Sequence, residues 1–569
     1  MLQACFHLFK RMIVLYILLG ILIQFCNAFG IKVFQELLDR ATMVGPFNEV
    51  APLIAIYGIL LASATLLQYA MEYPHTYLAN GIAEKLKLMA LSKVSKIDYA
   101  AYRNTGTGEM IKVIENGADA GMKIIHSFFL RMLHELLPSL LFGMLFISLY
   151  DKRMMLAIAV GYVAIFLINH VLLRLLYSMK TSLLDSQEKL SKYSIRGFME
   201  LVVFRVNKRY RKEIERLHET ADGMVKLSAR IRVIHESFFA LFALLVTVLK
   251  VAILVYGVKR MLSSESSIGV TLALLLLIDR VYTPVAIFNV LYVDYKLNRV
   301  AYKRLEQFLQ APEDANLDSG MEVKALSGTI EFTDVTFDYG NVKLLSPVSF
   351  KIPAGSSVAI VGLSGSGKST IVKLMLGLLK KRSGAIRWDG IELDEIKLNS
   401  LYGHVSYISQ EAPIFDTTIR ENMLFDDRMP DEQVYDILEK VRLSEKVQRL
   451  PERLETVVGE RGMKLSGGER QRLAFGRIIA QQRNVIILDE PVSALDNITE
   501  KALMEQVLQM FHGKTVIIVA HRLSFIKGVD RILLIKDGEL VGEGSFEHLI
   551  GRSDYFRQLW DRDGDRGGR

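Results

Sequence analysis

Cysteine is nearly absent: two residues in 569, Cys5 and Cys26. So few thiols exclude a disulfide framework and a cysteine-built metal cluster. An even spread of apolar side chains is missing too. The hydrophobic share is 51% and the mean hydropathy is positive, which is apolar for a soluble protein. The apolar residues are concentrated as long runs in the first half, whereas the second half reads as an ordinary soluble domain. Two large units follow, fewer than length alone suggests. Net charge is +8. A basic balance is compatible with nucleic acid, but Lys and Arg retained in the cytoplasmic loops of a membrane protein explain it more simply, and no nucleic-acid partner is expected.

The first segment, "FKRMIVLYILLGILIQFCNAFG", has a basic start and an apolar stretch, as a secretory signal does. Its apolar run is about as long as a membrane span needs, and further spans follow. We read it as a retained first helix, and "IQFC" as a poor lipid-attachment box. Six apolar stretches are candidate spans: 12–31, 50–72, 127–149, 154–177, 237–258 and 267–291. The connections after the first, third and fifth are short. Those after the second and fourth run to roughly fifty residues and are polar and helix-patterned, as in "AEKLKLMALSKV" and "FRVNKRYRKEIERLHET". The long 178–236 segment is dense in Lys and Arg and the short turns are not, which puts the long connections and both termini in the cytoplasm. Residues 1–310 are thus the expected membrane domain. "RVAYKRLEQFLQ" leaves the membrane as a basic helix, 311–328 is a polar linker, 329–560 a soluble domain, and 561–569 a solvated tail expected to be disordered.

The soluble half carries the chemistry. "SSVAIVGLSGSGKSTIVKLMLGLL" reads strand, glycine loop, helix, and Gly362-x4-Gly367-Lys368-Ser369 fits a P-loop. The loop residues Gly362, Leu363, Ser364, Gly365, Ser366 and Gly367 would turn backbone N–H groups toward phosphate oxygens. Lys368 would reach the β- and γ-phosphates, the Ser369 hydroxyl would ligate Mg²⁺, and Ser369 and Thr370 open a helix whose positive end adds to the field. "NVIILDEP" is a buried parallel strand ending in two carboxylates. Asp489 suits Mg²⁺, directly or through water. Glu490, one residue on, points elsewhere and suits alignment and polarisation of an attacking water. His521 follows the apolar strand in "KTVIIVAHRL", on the edge where α/β sheets bind ligands, within reach of a γ-phosphate or that water. Gln410, after "HVSYIS", would sense Mg²⁺ or the water; alone it is a loop residue. Tyr339 would stack on a purine; alone it is a strand-end aromatic.

A second glycine loop, "LSGGERQR" from Leu465 to Arg472, has no lysine after its glycines. Ser466-x-x-Glu469 is a capping box. It places Ser466, Gly467 and Gly468 at a helix N-terminus with free N–H groups, an anion site that would hold a phosphate only weakly by itself.

Together these residues resemble an ATP-binding cassette (ABC) domain: Walker A at Gly362–Ser369, Q-loop Gln410, signature Leu465–Glu469, Walker B Val485–Asp489 with Glu490, D-loop Ser493–Asp496, switch His521, and Tyr339 in the place of the adenine-stacking residue. "VGERGMKLSGGERQR" and "TTIRENMLF" are similar to segments of ABC exporters, and so, by layout and "YAAYRNTGTGEM", is the first half. Val492 stands where threonine is usual before the D-loop, and no catalytic residue is degenerate. The resemblance implies an all-α six-helix transmembrane domain followed by an α/β P-loop NTPase domain of the ABC type. It implies a half-transporter that pairs with a second copy of itself, a heterodimer being the other assembly. Each ATP, with Mg²⁺, would lie between one chain's P-loop and the other's signature loop and Asp496. It further implies an ATPase that exports a small molecule, peptide or lipid-like substrate through the lipid bilayer by alternating access, in a bacterial plasma membrane with the nucleotide domain cytoplasmic.

A siderophore-type importer and an ATP-gated channel or sensor are the other readings of this layout. Chromosome-maintenance ATPases share the signature loop but insert a long coiled coil between the Walker motifs, where this chain has about 120 residues. No cysteine-peptidase domain precedes the first span, so a leader-cleaving peptide exporter is not expected. For the substrate, the clues are charges within the spans: Lys250, Asp279, Glu135, Arg131 and His170. Such residues face a bundle interior or a wet cavity. Lys250 and Asp279 sit at comparable depth, either as a pair holding helices together or as part of a polar cavity for a peptide or charged amphiphile.

Overall fold

A computed structural model describes residues 2–42, 47–105, 107–161, 178–183, 185–186, 189–190, 201–340, 342–410, 413–425, 428–491, 497–520, 523 and 526–566. The chain forms two compact units, one of residues 1–95 and 105–311 and one of residues 96–104 and 312–569.

The first unit is helical. Among the described residues five helices are long and apolar enough to cross a membrane: His7–Thr42, Phe47–Val94, Met110–Tyr150, Tyr210–Leu262 and Ile268–Leu309. They carry the expected stretches 12–31, 50–72, 127–149, 237–258 and 267–291. Of the stretch 154–177, residues to 161 are helical and the remainder, His170 included, lies outside the described residues. Parts of the polar connections, 73–94 and 210–236, prove to be continuations of the apolar helices, with turns at 95–98 and 207–209. Phe47–Val94 has 48 residues, Tyr210–Leu262 has 53 and Ile268–Leu309 has 42, so at about 1.5 Å per residue they reach roughly 60–80 Å, twice an apolar core of about 30 Å.

Two carboxylates tie helix ends together. Asp39 accepts hydrogen bonds from Ser267 Oγ at 2.8 Å and from the Gly269 N–H at 2.9 Å, joining the first helix to the start of the last. Asp151 accepts from Tyr256 Oη at 3.0 Å and from Arg260 at 2.8 Å. Charges within the spans meet one another. Lys250 Nζ lies 2.6 Å from Asp279 Oδ1 on the following helix, and Arg131 and Glu135, one turn apart, pair at 2.7 Å. The Met110–Tyr150 helix widens into π-helical turns at Lys123–Leu130 and Met132–Leu136. There the buried His126 and His134 gather around Tyr16, whose hydroxyl lies 3.0 Å from His75 Nδ1.

The second unit holds two sheets. One has the order β2-β1-β4-β5, made of β1 (Ile330–Tyr339), β2 (Val342–Ile352), β4 (Ser383–Trp388) and β5 (Ile391–Glu392). The other has the order β10-β9-β3-β8-β7-β6, made of β3 (Ser357–Val361), β6 (Val405–Ile408), β7 (Val485–Asp489), β8 (Thr515–Ala520), β9 (Arg531–Lys536) and β10 (Glu539–Gly544). Strands β6, β7, β8, β3 and β9 run parallel. Every residue of β7 and β8 is buried, as the unbroken apolar runs require of strands covered on both faces. The parallel register brings the C-terminal ends of β3, β8, β7 and β6 to one edge, where such sheets bind ligands.

Residues 312–328 lie on this unit. Met321 exchanges backbone hydrogen bonds with Glu395 and Lys397 at 2.7 and 2.9 Å, and Val323 and Leu326 are buried. Asp389 accepts from the N–H groups of Ser327, Gly328 and Thr329 at 2.6, 3.1 and 2.8 Å. Residues 96–104 join the same unit: Tyr99 packs on its core, with Lys373 Nζ 5.9 Å from the ring centroid. The last helix, Asp554–Arg566, runs into the stretch expected as a tail.

Candidate nucleotide site

The first loop follows β3 and opens the helix Lys368–Met375. Glycine is required where it occurs. A Cβ on Gly362 would lie 2.2 Å from the Ile535 carbonyl oxygen of β9, and Gly367 adopts φ +103° to cap the helix, a conformation glycine takes without a steric cost. Leu363, Ser364 and Gly365 are exposed at the tip, while Ser366, Gly367, Lys368 and Thr370 are buried beneath. The Ser366 hydroxyl is buried with no partner among the described residues, which marks a polar cradle. Lys368 arches back over the loop and donates to the carbonyl oxygens of Gly362 and Leu363 at 2.8 and 2.9 Å. Burial holds its ammonium below the usual lysine range, against the opposing pull of Glu490 and Asp489.

Strand β7 delivers the two carboxylates. Asp489 is buried and accepts a hydrogen bond from Ser369 Oγ at 3.1 Å. Burial pushes its carboxyl up, and the Ser369 bond only partly offsets this. Glu490 leaves the strand at φ +51°, uncommon for a residue with a side chain, with its N–H held by the Val519 carbonyl at 3.1 Å. That turn separates the two carboxylates and brings Glu490 Oε2 within 2.7 Å of Gln410 Nε2. Gln410 comes from the loop after β6, the strand beside β7.

Ser369, Asp489, Gln410 and Glu490 are therefore brought together by three neighbouring segments. Strand β8 ends at Ala520 between β3 and β7; His521 itself lies outside the described residues, as do Ser493 and Asp496. Tyr339 closes β1 on the other sheet, partly exposed, with its ring edge-on to Phe337 at 4.7 Å. A hydroxyl and a carboxylate 3.1 Å apart are hard oxygen donors. They fit Mg²⁺, which binds through one or two carboxylates and shares substrate phosphates.

The second loop opens the helix Gly467–Gln481. Ser466 is the N-cap, accepting from the Glu469 N–H at 3.3 Å while the Glu469 carboxylate accepts from the Ser466 N–H at 2.8 Å, a complete capping box. Two residues that sequence reasoning missed support this helix. Lys446, from the short helix Ser444–Arg449, donates to Glu469 at 2.6 Å. Arg477 donates to the Asn422 and Pro413 carbonyls at 2.7 and 3.1 Å and lies 5.4 and 4.7 Å from the ring centroids of Phe415 and Phe425. Burial holds its guanidinium down to about 10. Their partners lie tens of residues away, so neither carries a local sequence signal.

Comparison with known proteins agrees with this architecture. Residues 13–285 match the ABC transporter transmembrane region and residues 345–493 the ABC transporter family. The chain is 26% identical over 534 residues to ABC transporter B family member 24, mitochondrial, of Arabidopsis thaliana, covering 91% of this chain and 77% of that protein. It is 25% identical over 538 residues to the ATP-dependent lipid A-core flippase of Desulfotalea psychrophila, covering 93% and 92%. It is 34% identical over 307 residues to the mycobactin import ATP-binding/permease protein IrtB of Mycolicibacterium thermoresistibile, covering 53% of each. Its fold is similar to that of a bacterial Atm1-family ABC exporter solved with ATP bound, with a TM-score of 0.83, 22% identity and 97% and 98% of the two chains covered. A helical unit of membrane-crossing length followed by this nucleotide-type unit is the architecture of one family: the chain belongs to the ABC transporters, ATP-binding membrane transporters, and has the exporter fold.

Proposed function

We propose that two copies of this chain pair and export a substrate by alternating access, hydrolysing ATP at composite sites shared between them. The observation that carries this reading is the division of labour between the two loops. The Gly362–Ser369 loop has a lysine, a hydroxyl and a neighbouring carboxylate for phosphate and metal. The Ser466 loop offers only the capped N-terminus of a helix, the form expected of a surface that completes a site held by another chain.

In this reading Tyr339 stacks on the adenine. The backbone of Gly362 to Gly367 cradles the phosphates, Lys368 pairs with their charge, and Ser369, Gln410 and Asp489 face Mg²⁺. The metal, when bound, neutralises charge on the terminal phosphates. Glu490, held by Gln410 at 2.7 Å, aligns and polarises the attacking water, and His521 contacts the γ-phosphate or that water. Ser466, Gly467, Gly468 and Asp496 act on the partner's nucleotide, and Glu469 caps the helix that presents them. The long helices that extend the spans carry closure to the membrane half. The nucleotide unit and both termini are cytoplasmic, in a bacterial plasma membrane.

A chain carrying Ser466→Arg, mixed with a chain carrying Lys368→Ala, tests the composite site. Each alone has no intact site, whereas the mixed dimer has one. Recovered ATP hydrolysis supports the reading, and no recovery in verified mixed dimers overturns it.

The substrate class favoured by Lys250, Asp279, Arg131 and Glu135 is a peptide or charged amphiphile; relatives named as lipid A-core flippases add lipid-like substrates. A siderophore importer is the second reading, favoured by the likeness to the mycobactin import protein. The direction of ATP-driven flux in inverted vesicles decides between them.

A further inference from the structure

The capping box of the second loop contains an electrostatic conflict. Glu469 satisfies the Ser466 N–H and suits the positive end of its helix. It also places a full negative charge within one turn of the N–H groups that, on the reading above, receive a nucleotide phosphate. The basic residues on either side of the loop are turned to backbone oxygens instead. Lys464 donates to the Val457 carbonyl at 2.8 Å, and Arg470 turns back to the Leu465 carbonyl at 3.0 Å.

The structure supplies a cation from elsewhere. Lys446 Nζ lies 2.6 Å from Glu469 Oε2, the same oxygen that accepts from the Ser466 N–H at 2.8 Å. The Glu469 side chain is 15% exposed and that of Lys446 38%, so the pair is only partly screened by solvent. Burial would raise the Glu469 carboxyl, yet Lys446 and Ser466 together hold it below its ordinary value. The carboxylate thus stays ionised, which is the state that needs a counter-charge. The lysine's own neighbours, Glu445 and Arg449, are paired with each other.

We propose that Lys446 is a positioning residue of the composite site: it neutralises Glu469, so that the Gly467 and Gly468 N–H groups approach the partner's ATP without an uncompensated carboxylate beside them. The proposal rests on the composite-site reading. An amide in place of Glu469 would need no lysine, whereas the carboxylate does.

The test measures the ATP dependence of hydrolysis by the full-length transporter in liposomes for Lys446→Met, Lys446→Arg, Glu469→Gln and the double variant Lys446→Met/Glu469→Gln. Lys446→Met is expected to raise the ATP concentration needed for half-maximal rate by about tenfold, as a like charge left near a phosphate would, with a smaller change in the rate at saturation. Lys446→Arg keeps the charge and stays near the parent. The distinguishing result is rescue: adding Glu469→Gln to Lys446→Met should lower the ATP requirement again, because no charge remains to be offset. A lysine that merely staples two helices predicts the opposite, since Glu469→Gln breaks the same contact and cannot restore it. An unrescued double variant overturns the proposal, as does a Lys446→Met protein with the parent's ATP dependence. Should Lys446→Met fold poorly, Lys446→Gln serves in the same cycle. Ser466→Arg is run alongside. If it hydrolyses ATP normally, the composite-site reading falls; if it is inactive while Lys446→Met is unaffected, only the role of Lys446 falls.

Discussion

The Gln410 side-chain amide donates to Glu490 Oε2 at 2.7 Å, across the gap between two adjacent parallel strands. On the proposed reading, the other Glu490 oxygen is the one that acts on water. Glu490→Gln should lower the ATP hydrolysis rate by at least about a hundredfold, the scale of a lost general base, while ATP still binds. Phosphate release and retention of labelled nucleotide measure the two separately. Undiminished turnover would remove Glu490 from its assigned role.

Lys368 is buried over the loop, donating to two carbonyl oxygens. Lys368→Ala removes a charged donor to phosphate, a contact worth about 1.5–3 kcal/mol. ATP affinity should fall roughly ten- to a hundredfold, read by equilibrium binding of a fluorescent nucleotide.

Asp489 opposes stability where it is needed for the site. Its carboxyl is raised by burial, so the ionised form is disfavoured in the folded chain. The cost is present at neutral pH, above the raised folded value, and vanishes below the unfolded value, where the group is neutral in both states. Asp489→Asn should therefore raise the thermal midpoint of the nucleotide-free protein at neutral pH. The gain should shrink as the pH is lowered through the carboxylate range, while hydrolysis is lost at every pH. An equal midpoint for the two proteins at neutral pH contradicts the assignment.

Arg477 binds the signature helix to the segment after Gln410 through carbonyl oxygens and two aromatic rings. Arg477→Met keeps bulk and removes the donors, leaving the carbonyl of the buried Asn422 unpaired. Destabilisation of about 2–3 kcal/mol is expected, visible in chemical denaturation of the transporter's nucleotide unit within the full chain.

Lys250 and Asp279 pair at 2.6 Å between successive helices. Removing either charge should cost about 1 kcal/mol or somewhat more, in line with polar contacts between membrane helices. The swap Lys250→Asp/Asp279→Lys separates a clamp from a binding role. Restored stability with restored transport identifies a clamp; restored stability with transport still lost identifies contact with substrate.

How much of this is legible in the sequence depends on the distance over which each signal acts. The capping box of Ser466 and Glu469 is readable because cap and partner are three residues apart and their bond is set by the helix itself. The same holds for the glycine loop, whose backbone demands show as residue types. The buried strands β7 and β8 are readable as unbroken apolar runs. The contact of Ser369 with Asp489 is readable as chemistry, although its 3.1 Å geometry depends on the sheet order that puts only β8 between β3 and β7. The polar connections show a helical pattern, but not that residues 73–94 and 210–236 continue the apolar helices while turns intervene at 95–98 and 207–209, because a polar helix and a polar helix–loop–helix share a periodicity.

Local chemistry, then, is determined by the sequence alone: which loop holds phosphate, which strand brings carboxylates, which stretches are apolar enough for a bilayer. These follow from backbone dihedrals, hydrogen-bond valence and transfer free energy, all of which act within a few residues. The tertiary structure decides the pairings. Lys446 reaches Glu469 from 23 positions upstream and Gln410 reaches Glu490 from 80. Such contacts are set by how helices and strands pack, and a charge carries no mark in the sequence of the partner it will meet.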